Sequence, residues 1–410
     1  MDIEYDDGET ATALAERTRE FVDEEVIPVE REVLGDGPVS DSQVAALREA
    51  AREYDVYAPQ VAEKHGGLGL NFRDVLPAFE AAGRSLLGPH ACRVNAPDEG
   101  NIHTLELLGT DEQQDRWLRQ LVAGEISSGF SMTEPLQGAG SDPKMIQTEA
   151  RKEGDEWVID GHKWWTTGGG DADLLIVMAR TDHDAHPYEG CSLFLVPADT
   201  DGVEIVREIP HLGGAVTGAS HAEISYDGVR VPTANLLGRE NAGFRHAQQR
   251  LGPARLTHCM RYTGLAERAL DVAVAYASER RAFDGPLAAK QSVRFAVAEA
   301  ETRLHAVRTM VRDAADRLAA GEDARQRVSM AKTFAANAVQ EAVDTAVQTC
   351  GGNGIGKDLP LADFFTAARQ FRLVDGADEV HKRVIARAAF DDPETSELQP
   401  LTRYGDPKRE

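Results

Sequence analysis

Apolar positions recur at helical spacing through the first third of the chain, notably in Ala11–Val26 and Val44–Tyr54. Thr110-Asp111-Glu112-Gln113 reads as a capping box, opening a helix that carries Trp117, Leu118 and Leu121. Gly66-Gly67-Leu68-Gly69 is turn-like, with no strand before it and no complete dinucleotide fingerprint. Asn95–Asn101 breaks the helical pattern. Near residue 129 the period changes to two. Trp157-Val158-Ile159 follows a Gly154-Asp155 turn as half of a hairpin, and Leu174–Met178 and Ser192–Val196 are apolar runs of strand length. Ala222–Tyr226 alternates, and Asp227-Gly228 reads as a turn closing it. From residue 240 the period is helical again and the segments are longer. Gly243–Glu279 predicts one helix of over 50 Å at about 1.5 Å per residue, with Gly252-Pro253 a candidate kink. Gln291–Ala319 and Arg325–Cys350 follow, with a further segment from Asp378.

This order predicts an α+β chain in four parts. Residues 1–128 form an all-α domain, 129–239 a middle antiparallel β-barrel, 240–392 a four-helix bundle, and 393–410 a polar tail.

The chemistry concentrates in Phe130–Gly168. Phe130-Ser131-Met132-Thr133-Glu134-Pro135 leads into a loop of small residues, Gln137-Gly138-Ala139-Gly140-Ser141-Asp142-Pro143. Such a loop lets backbone N–H groups approach a flat polar ligand. The segment closes on Gly161-His162-Lys163-Trp164-Trp165-Thr166-Thr167-Gly168. Strand neighbours face opposite sides, so two adjacent tryptophans imply either a two-sided sheet or one ring stacked beside a planar cofactor.

Composition narrows the function. With 69 acidic against 44 basic residues, the net charge of −25 is the opposite of a nucleic-acid footprint. Abundant carboxylate with little Lys points to a source rich in salt. No apolar run approaches the roughly 20 residues of a membrane span. The acidic start, Met1-Asp2-Ile3-Glu4, is unlike a signal or transit peptide, so a cytoplasmic location is expected. Cys92, Cys191, Cys259 and Cys350 are too scattered for a metal site and read as reduced, mostly buried thiols. Gly351–Lys357 nearly spells a phosphate loop, but Asp358 stands where that motif needs Ser or Thr, and a helix precedes it.

The Thr-Glu-Pro strand, the Gly-Ser-Asp loop and the Lys-x-Trp-x-Thr strand together resemble the flavin-cradling middle domain of the acyl-CoA dehydrogenases. The resemblance extends over nearly the whole chain. It implies FAD, with Met132, Thr133, Trp165 and Thr167 lining the isoalloxazine ring and Phe130 also binding the cofactor. Ser141 and Arg255 would touch the CoA side, although two extra residues separate Thr-Glu-Pro from Gly-Ser-Asp here. Arg280, Phe283, Gln291, Gln348, Gly351 and Gly352 resemble residues that reach a neighbouring subunit's FAD, implying a homodimer or homotetramer. Asp375, followed by Gly376 in the substrate site, falls where most relatives carry a catalytic Glu. Without the resemblance, Asp375 would read as a cap for the helix from Asp378 or a partner of Arg372.

The implied reaction is α,β-dehydrogenation of an acyl-CoA in fatty acid β-oxidation, with electrons passing to an electron-transfer flavoprotein. Trp164-Trp165, Arg250-Leu251-Gly252-Pro253 and His258-Cys259-Met260-Arg261 resemble the branch elsewhere fused to a kinase-like domain, which also processes hydroxylated acyl-CoAs. No kinase-like unit is expected within these residues. The alternatives are a flavin oxidase of the same fold, nitroalkane oxidase-like or acyl-CoA oxidase-like, and a catalytically silent binding protein.

Overall fold

The computed structural model describes residues 5–33, 37–213, 216–217 and 220–391, so the tail expected at 393–410 lies outside the described residues. Helix α1 (Gly8–Phe21) continues through a π-helical turn at Val22–Val26 into α2 (Ile27–Val33), and that turn keeps Phe21, Val22 and Val26 buried. Helix α3 (Asp41–Glu53) starts at a capping box made by Ser40 and Gln43, and α4 (Phe72–Ala82) is capped by Asn71. Helix α5 (Asp98–Leu108) is followed by the expected Thr110–Gln113 box, whose helix is interrupted by a second π-turn at Gln114–Leu118.

The middle of the chain is one mixed sheet. Its strands are β1 (Ser128–Ser131), β2 (Glu149–Glu153), β3 (Glu156–Thr167), β4 (Leu174–Arg180), β5 (Cys191–Pro197), β6 (Val203–Glu208), β7 (His221–Pro232) and β8 (Leu236–Leu237). They run in the order β6-β7-β3-β2-β4-β5-β8, with β1 paired to β4. This corrects the expected antiparallel barrel. The ends of the path, β6 and β8, do not pair, and β1 and β2 each run parallel to β4. Strand β4 is buried on both faces, which explains its unbroken apolar run. Leu174, Ile176 and Met178 join the core shared with the N-terminal helices, whereas Leu175 and Val177 meet Trp157 and Phe194 on the other face.

Asp227-Gly228 is not a turn. Strand β7 runs straight through it, and the pairing with β3 steps from Ile159↔Val229 to Gly161↔Tyr226. The extra residue on β7 makes a bulge, with Gly228 at φ +62° and its N–H donated to Asp160 Oδ1 at 2.7 Å. A Gly after an Asp serves a bulge as well as a turn, so the dipeptide alone does not choose between them.

Helix α6 (Gly243–Glu279) is continuous over 37 residues and passes through Pro253. It packs with α7 (Gln291–Ala319) and α8 (Arg325–Cys350), while α9 (Leu361–Phe371) and α10 (Asp378–Phe390) rest on α8. The C-terminal part is thus helical as expected, with three long helices and two short ones on α8, the segment from Asp378 among them. Helices α4 and α6 cross at bare backbone. A Cβ on Gly83 would lie 2.0 Å from Arg261 O, and one on Gly264 would lie 1.9 Å from Glu80 O. The four cysteines are buried and free.

Candidate active site

A cleft of about 1310 Å³ opens between the sheet, the segment before α5, helix α6 and the turn between α9 and α10. Its first wall is fixed by Glu134, which is buried with its carboxylate surrounded by donors. The amides of Ala139, Gln147 and Thr148 reach it at 3.0, 2.7 and 2.8 Å, and Lys163 Nζ at 2.9 Å. Burial alone would raise the Glu134 pKa, but Lys163 and the Thr148 contact outweigh it and hold the carboxyl below its usual range. Lys163 is itself wholly buried and also donates to Met132 O at 3.0 Å. Burial pushes its ammonium down while Glu134 favours the charged form. The opposed effects fit the geometry, since the carboxylate has several donors and the ammonium fewer acceptors. The pair ties the end of β1 to β3 and so presents Phe130, Met132 and Thr133 to the cleft.

The second wall breaks the strand rule. Pairing of β3 with β7 steps from Lys163↔Ile224 to Thr166↔Ala222, and Trp165 sits at φ +54°. This bulge on β3 cancels the alternation expected of Trp164 and Trp165. Both rings line the cleft, edge to face at 6.3 Å, and Trp165 is 43% exposed. Thr167 lies beside them, its hydroxyl 3.1 Å from His221 Nδ1. Burial, helped by His211, pushes His221 down to about 4, so that imidazole is neutral.

The third wall is one face of α6, with Arg250, Ala254, His258 and Arg261 spaced by three or four residues. Arg250 donates to Asn101 Oδ1 at 3.0 Å and Pro97 O at 3.3 Å, and its guanidinium lies 4.3 Å from the Phe130 ring centroid. Arg261 donates to Val94 O, but its buried Nη2 has no partner among the described residues. Glu99 faces these cations, with Thr257 Oγ1 at 3.4 Å.

Asp375 and Gly376 close the cleft in left-handed backbone, at φ +55° and +102°. Three side chains hold that turn. Arg255 Nε and His381 Nε2 bond the Asp375 carbonyl at 2.9 and 3.2 Å, and Lys332 Nζ bonds the Gly376 carbonyl at 2.9 Å. His381 is pushed down to about 4, chiefly by burial, so its Nε2–H donates and its Nδ1 faces Ser329 Oγ at 3.3 Å. The Asp375 carboxyl lies against His258 Nδ1 at 2.5 Å. Burial would raise its pKa, yet His258, Arg250 and Arg255 together hold it well below the usual carboxylate range. Arg372 pairs instead with Asp378 at 2.9 Å, so Asp375 is neither its partner nor a cap for α10.

The cleft therefore gathers Phe130, Met132, Thr133, Ser141, Trp165, Thr167, Arg255, Asp375 and Gly376. Arg280, Phe283, Gln291, Gln348, Gly351 and Gly352 are not part of it. They are exposed where α6 ends, α7 begins and α8 ends, a region linked by Asn353 Nδ2 donating to Tyr276 Oη at 3.4 Å. Sequence reasoning overlooked the functional placement of Glu99, His258, Arg261, Lys332 and His381. For His258 and Arg261 the available signal was a polar stripe at helical spacing along α6, which is otherwise core; Glu99, Lys332 and His381 lie on three other helices and carried no such signal.

A wide cleft with a half-exposed indole on one wall and a carboxylate on another fits a large planar ring with a thioester beside it. The comparisons agree. The acyl-CoA dehydrogenase N-terminal, middle and C-terminal domain models match residues 8–125, 129–229 and 241–390. A Mycobacterium tuberculosis protein described as probable acyl-CoA dehydrogenase FadE2 is 43% identical over 78% of this chain and 79% of its own length. Human acyl-CoA dehydrogenase family member 11 is 35% identical over 90% of this chain, which spans only 49% of that relative. The solved butyryl-CoA dehydrogenase from Megasphaera elsdenii superposes with a TM-score of 0.82 at 27% identity, covering 95% of this chain and 99% of that one.

Proposed function

The chain belongs to the acyl-CoA dehydrogenase family of oxidoreductases, and from that premise we propose that it converts an acyl-CoA thioester to the 2-enoyl-CoA with FAD as its cofactor. The observation that carries this reading is the Asp375 carboxylate, which lines the same cleft as the aromatic and small-residue wall. Phe130, Met132, Thr133, Trp165 and Thr167 would hold the isoalloxazine ring. Bound FAD would supply the acceptor for the β-hydride. Ser141 would contact the CoA side, and Gly376 would leave room for the thioester close to the backbone.

Asp375 takes the α-proton. The α C–H bond breaks, a carboxyl O–H bond forms, and the electron pair remains on the substrate. At neutral pH the carboxyl is ionised and ready to accept it. A carboxylate held so low is a weak base, and exclusion of water by bound substrate raises its basicity as the reaction requires. Arg255 holds the turn that aims Asp375 and, in this reading, also contacts the CoA.

Arg280, Phe283, Gln291, Gln348, Gly351 and Gly352 would serve the FAD of a second copy, making the enzyme a homodimer or homotetramer. An electron-transfer flavoprotein would reoxidise it, in the cytoplasm. Among the described residues no helix is long and apolar enough to cross a membrane.

The test is anaerobic bleaching of the flavin by a panel of acyl-CoAs. Asp375→Asn keeps the shape of the side chain and removes its basicity. It is expected to slow bleaching by about 10²–10⁴ while FAD stays bound. Bleaching of Asp375→Asn at the wild-type rate would overturn the assignment, and rapid peroxide formation from O₂ would favour the oxidase alternative.

A further inference from the structure

His258 lies on the cleft face of α6, and its ring is nearly parallel to those of Tyr262 and Phe371, at 6.3 Å from each. Those two rings are stacked on one another at 4.5 Å. This packing limits how far the imidazole can turn, so the direction of its nitrogens is built into the fold.

Nδ1 faces two acceptors, Ala254 O at 3.0 Å and Asp375 Oδ2 at 2.5 Å. A ring nitrogen between a carbonyl and a carboxylate must carry hydrogen. The Nδ1–H axis points toward Ala254 O, and Oδ2 touches the ring off that axis. Buried Oδ2 is consequently left without a hydrogen bond among the described residues. Ala254 O, by contrast, already accepts from Thr257 Oγ1 at 2.9 Å as well as serving the helix. The donor is close to an oxygen that lacks one and aimed at an oxygen that has others. A small ring rotation exchanges the two.

The other charged groups around Asp375 do not compete for that oxygen. Arg255 and His381 bond its backbone carbonyl, and Lys332 bonds the next one. Asp378 is engaged by Arg372 and Asn337. Arg250 and Arg261, on α6, bond backbone or side-chain oxygens of the segment before α5 and of α5 itself and act on the carboxylate through their charge.

We propose that His258 is a positioning residue for the base: its Nδ1–H is donated to Oδ2 of Asp375, which fixes that oxygen, leaves Oδ1 to meet the α-proton, and sets the proton affinity of the pair. When the α-proton arrives on Oδ1 the carboxyl becomes neutral, and Nδ1–H returns to Ala254 O. The proposal rests on Asp375 being the base, and its test separates the two claims.

The FAD-loaded enzyme is given a 3-thia-acyl-CoA. That compound has an α-proton to lose, but sulfur replaces its β-carbon, so it has no hydride to give. Exchange of the α-hydrogens with D₂O is then followed against pH. His258→Phe keeps a ring beside Tyr262 and Phe371 and removes the donor. Its acid limb is expected to move up by at least about one pH unit, a tenfold rise in proton affinity. His258→Asn places a carboxamide N–H near the position of Nδ1–H and is expected to bring the limb back toward the wild-type position. In the unsubstituted protein, nitrogen-15 shifts are expected to report a hydrogen on Nδ1 of His258, a readout that needs no variant. A His258→Phe profile superposed on wild type overturns the proposal. So does a His258→Asn enzyme as inert as Asp375→Asn, which would make His258 itself the base, and so does the Nε2–H tautomer. Wild-type exchange in Asp375→Asn would instead refute the assignment of the base.

Discussion

Replacing Glu134 by Gln tests whether one buried carboxylate holds the loop that forms the first wall of the cleft. The carboxylate takes donors from Ala139, Gln147, Thr148 and Lys163. A carboxamide offers a single oxygen and turns its NH₂ toward these donors, so some of them lose their acceptor. Lys163 keeps only Met132 O among its two acceptors. Breaking a buried ion pair from one side costs about 3–5 kcal/mol, and part of that is recovered where water reaches the loop. A net local loss of about 3 kcal/mol corresponds to roughly a hundredfold faster amide exchange. Hydrogen exchange read by mass spectrometry on peptides covering 134–148 is expected to accelerate by that order, while α7 remains protected. The effect also depends on pH. Because the Glu134 pKa is depressed in the fold, its contribution is complete above the unfolded value of about 4.3 and is lost as pH falls through the lower folded value. The difference between wild type and variant should therefore shrink in acid. Exchange in 134–148 that changes less than about threefold at neutral pH would refute the pinning role.

Gly264→Ala puts a methyl where Glu80 O lies 1.9 Å away, so α4 and α6 must separate; soluble yield and FAD content should both fall sharply, and a variant that melts like wild type would contradict the close crossing. Gly376→Ala combines φ +102° with a Cβ 2.9 Å from His381 Nε2 and should destabilise the Asp375 turn by about 1–3 kcal/mol, read as slower flavin reduction with FAD retained. Asp7 ties the N-terminus to α4 and α7 through Arg73 at 2.7 Å and through Arg312, and Asp7→Asn should free the N-terminal segment to proteolysis. In wild type the Asp7 pKa is lowered, because Arg312 and Arg73 outweigh burial, so this tether is present above the usual Asp range and fails as the pH falls below it.

The helices were legible because their stripes are long. Gln291–Ala319 and Arg325–Cys350 follow directly from spacing, and Gly243–Glu279 survives its proline because both flanks pack in the core. The sheet was less legible, since its departures from regularity are single inserted residues. Asp227-Gly228 and Trp164-Trp165 are both bulges, and a bulge leaves no periodic signature in the chain that contains it. The cleft was half legible. The Thr-Glu-Pro and Trp-Thr segments are contiguous, so their chemistry can be read locally, whereas Arg250, His258 and Arg261 are joined to Glu99 and Asp375 only by the packing of α6. The exposed set around Phe283 and Gly351 lies outside the cleft of the same chain, where helix ends meet, and no periodicity marks it.

The aspartate at position 375, proposed as the base, sits in unusual backbone. Asp is one methylene shorter than Glu, so an Asp base needs its α-carbon nearer the substrate. Asp375 itself, and not only Gly376, stands in the left-handed region. For a residue with a side chain that conformation costs of order 1 kcal/mol or more, and it persists only where its surroundings over-determine it. The surroundings here are Arg255 and His381 on one carbonyl and Lys332 on the next. Each of those side chains is drawn from a different helix, α6, α10 and α8. The position of the carboxylate is thus set by the packing of three helices rather than by the local sequence Val374-Asp375-Gly376. Lengthening the side chain to Glu would drive it into His258, which already lies 2.5 Å from the carboxylate. In this cleft the shorter acid and its histidine neighbour fit together, and exchanging either one alone disturbs the other.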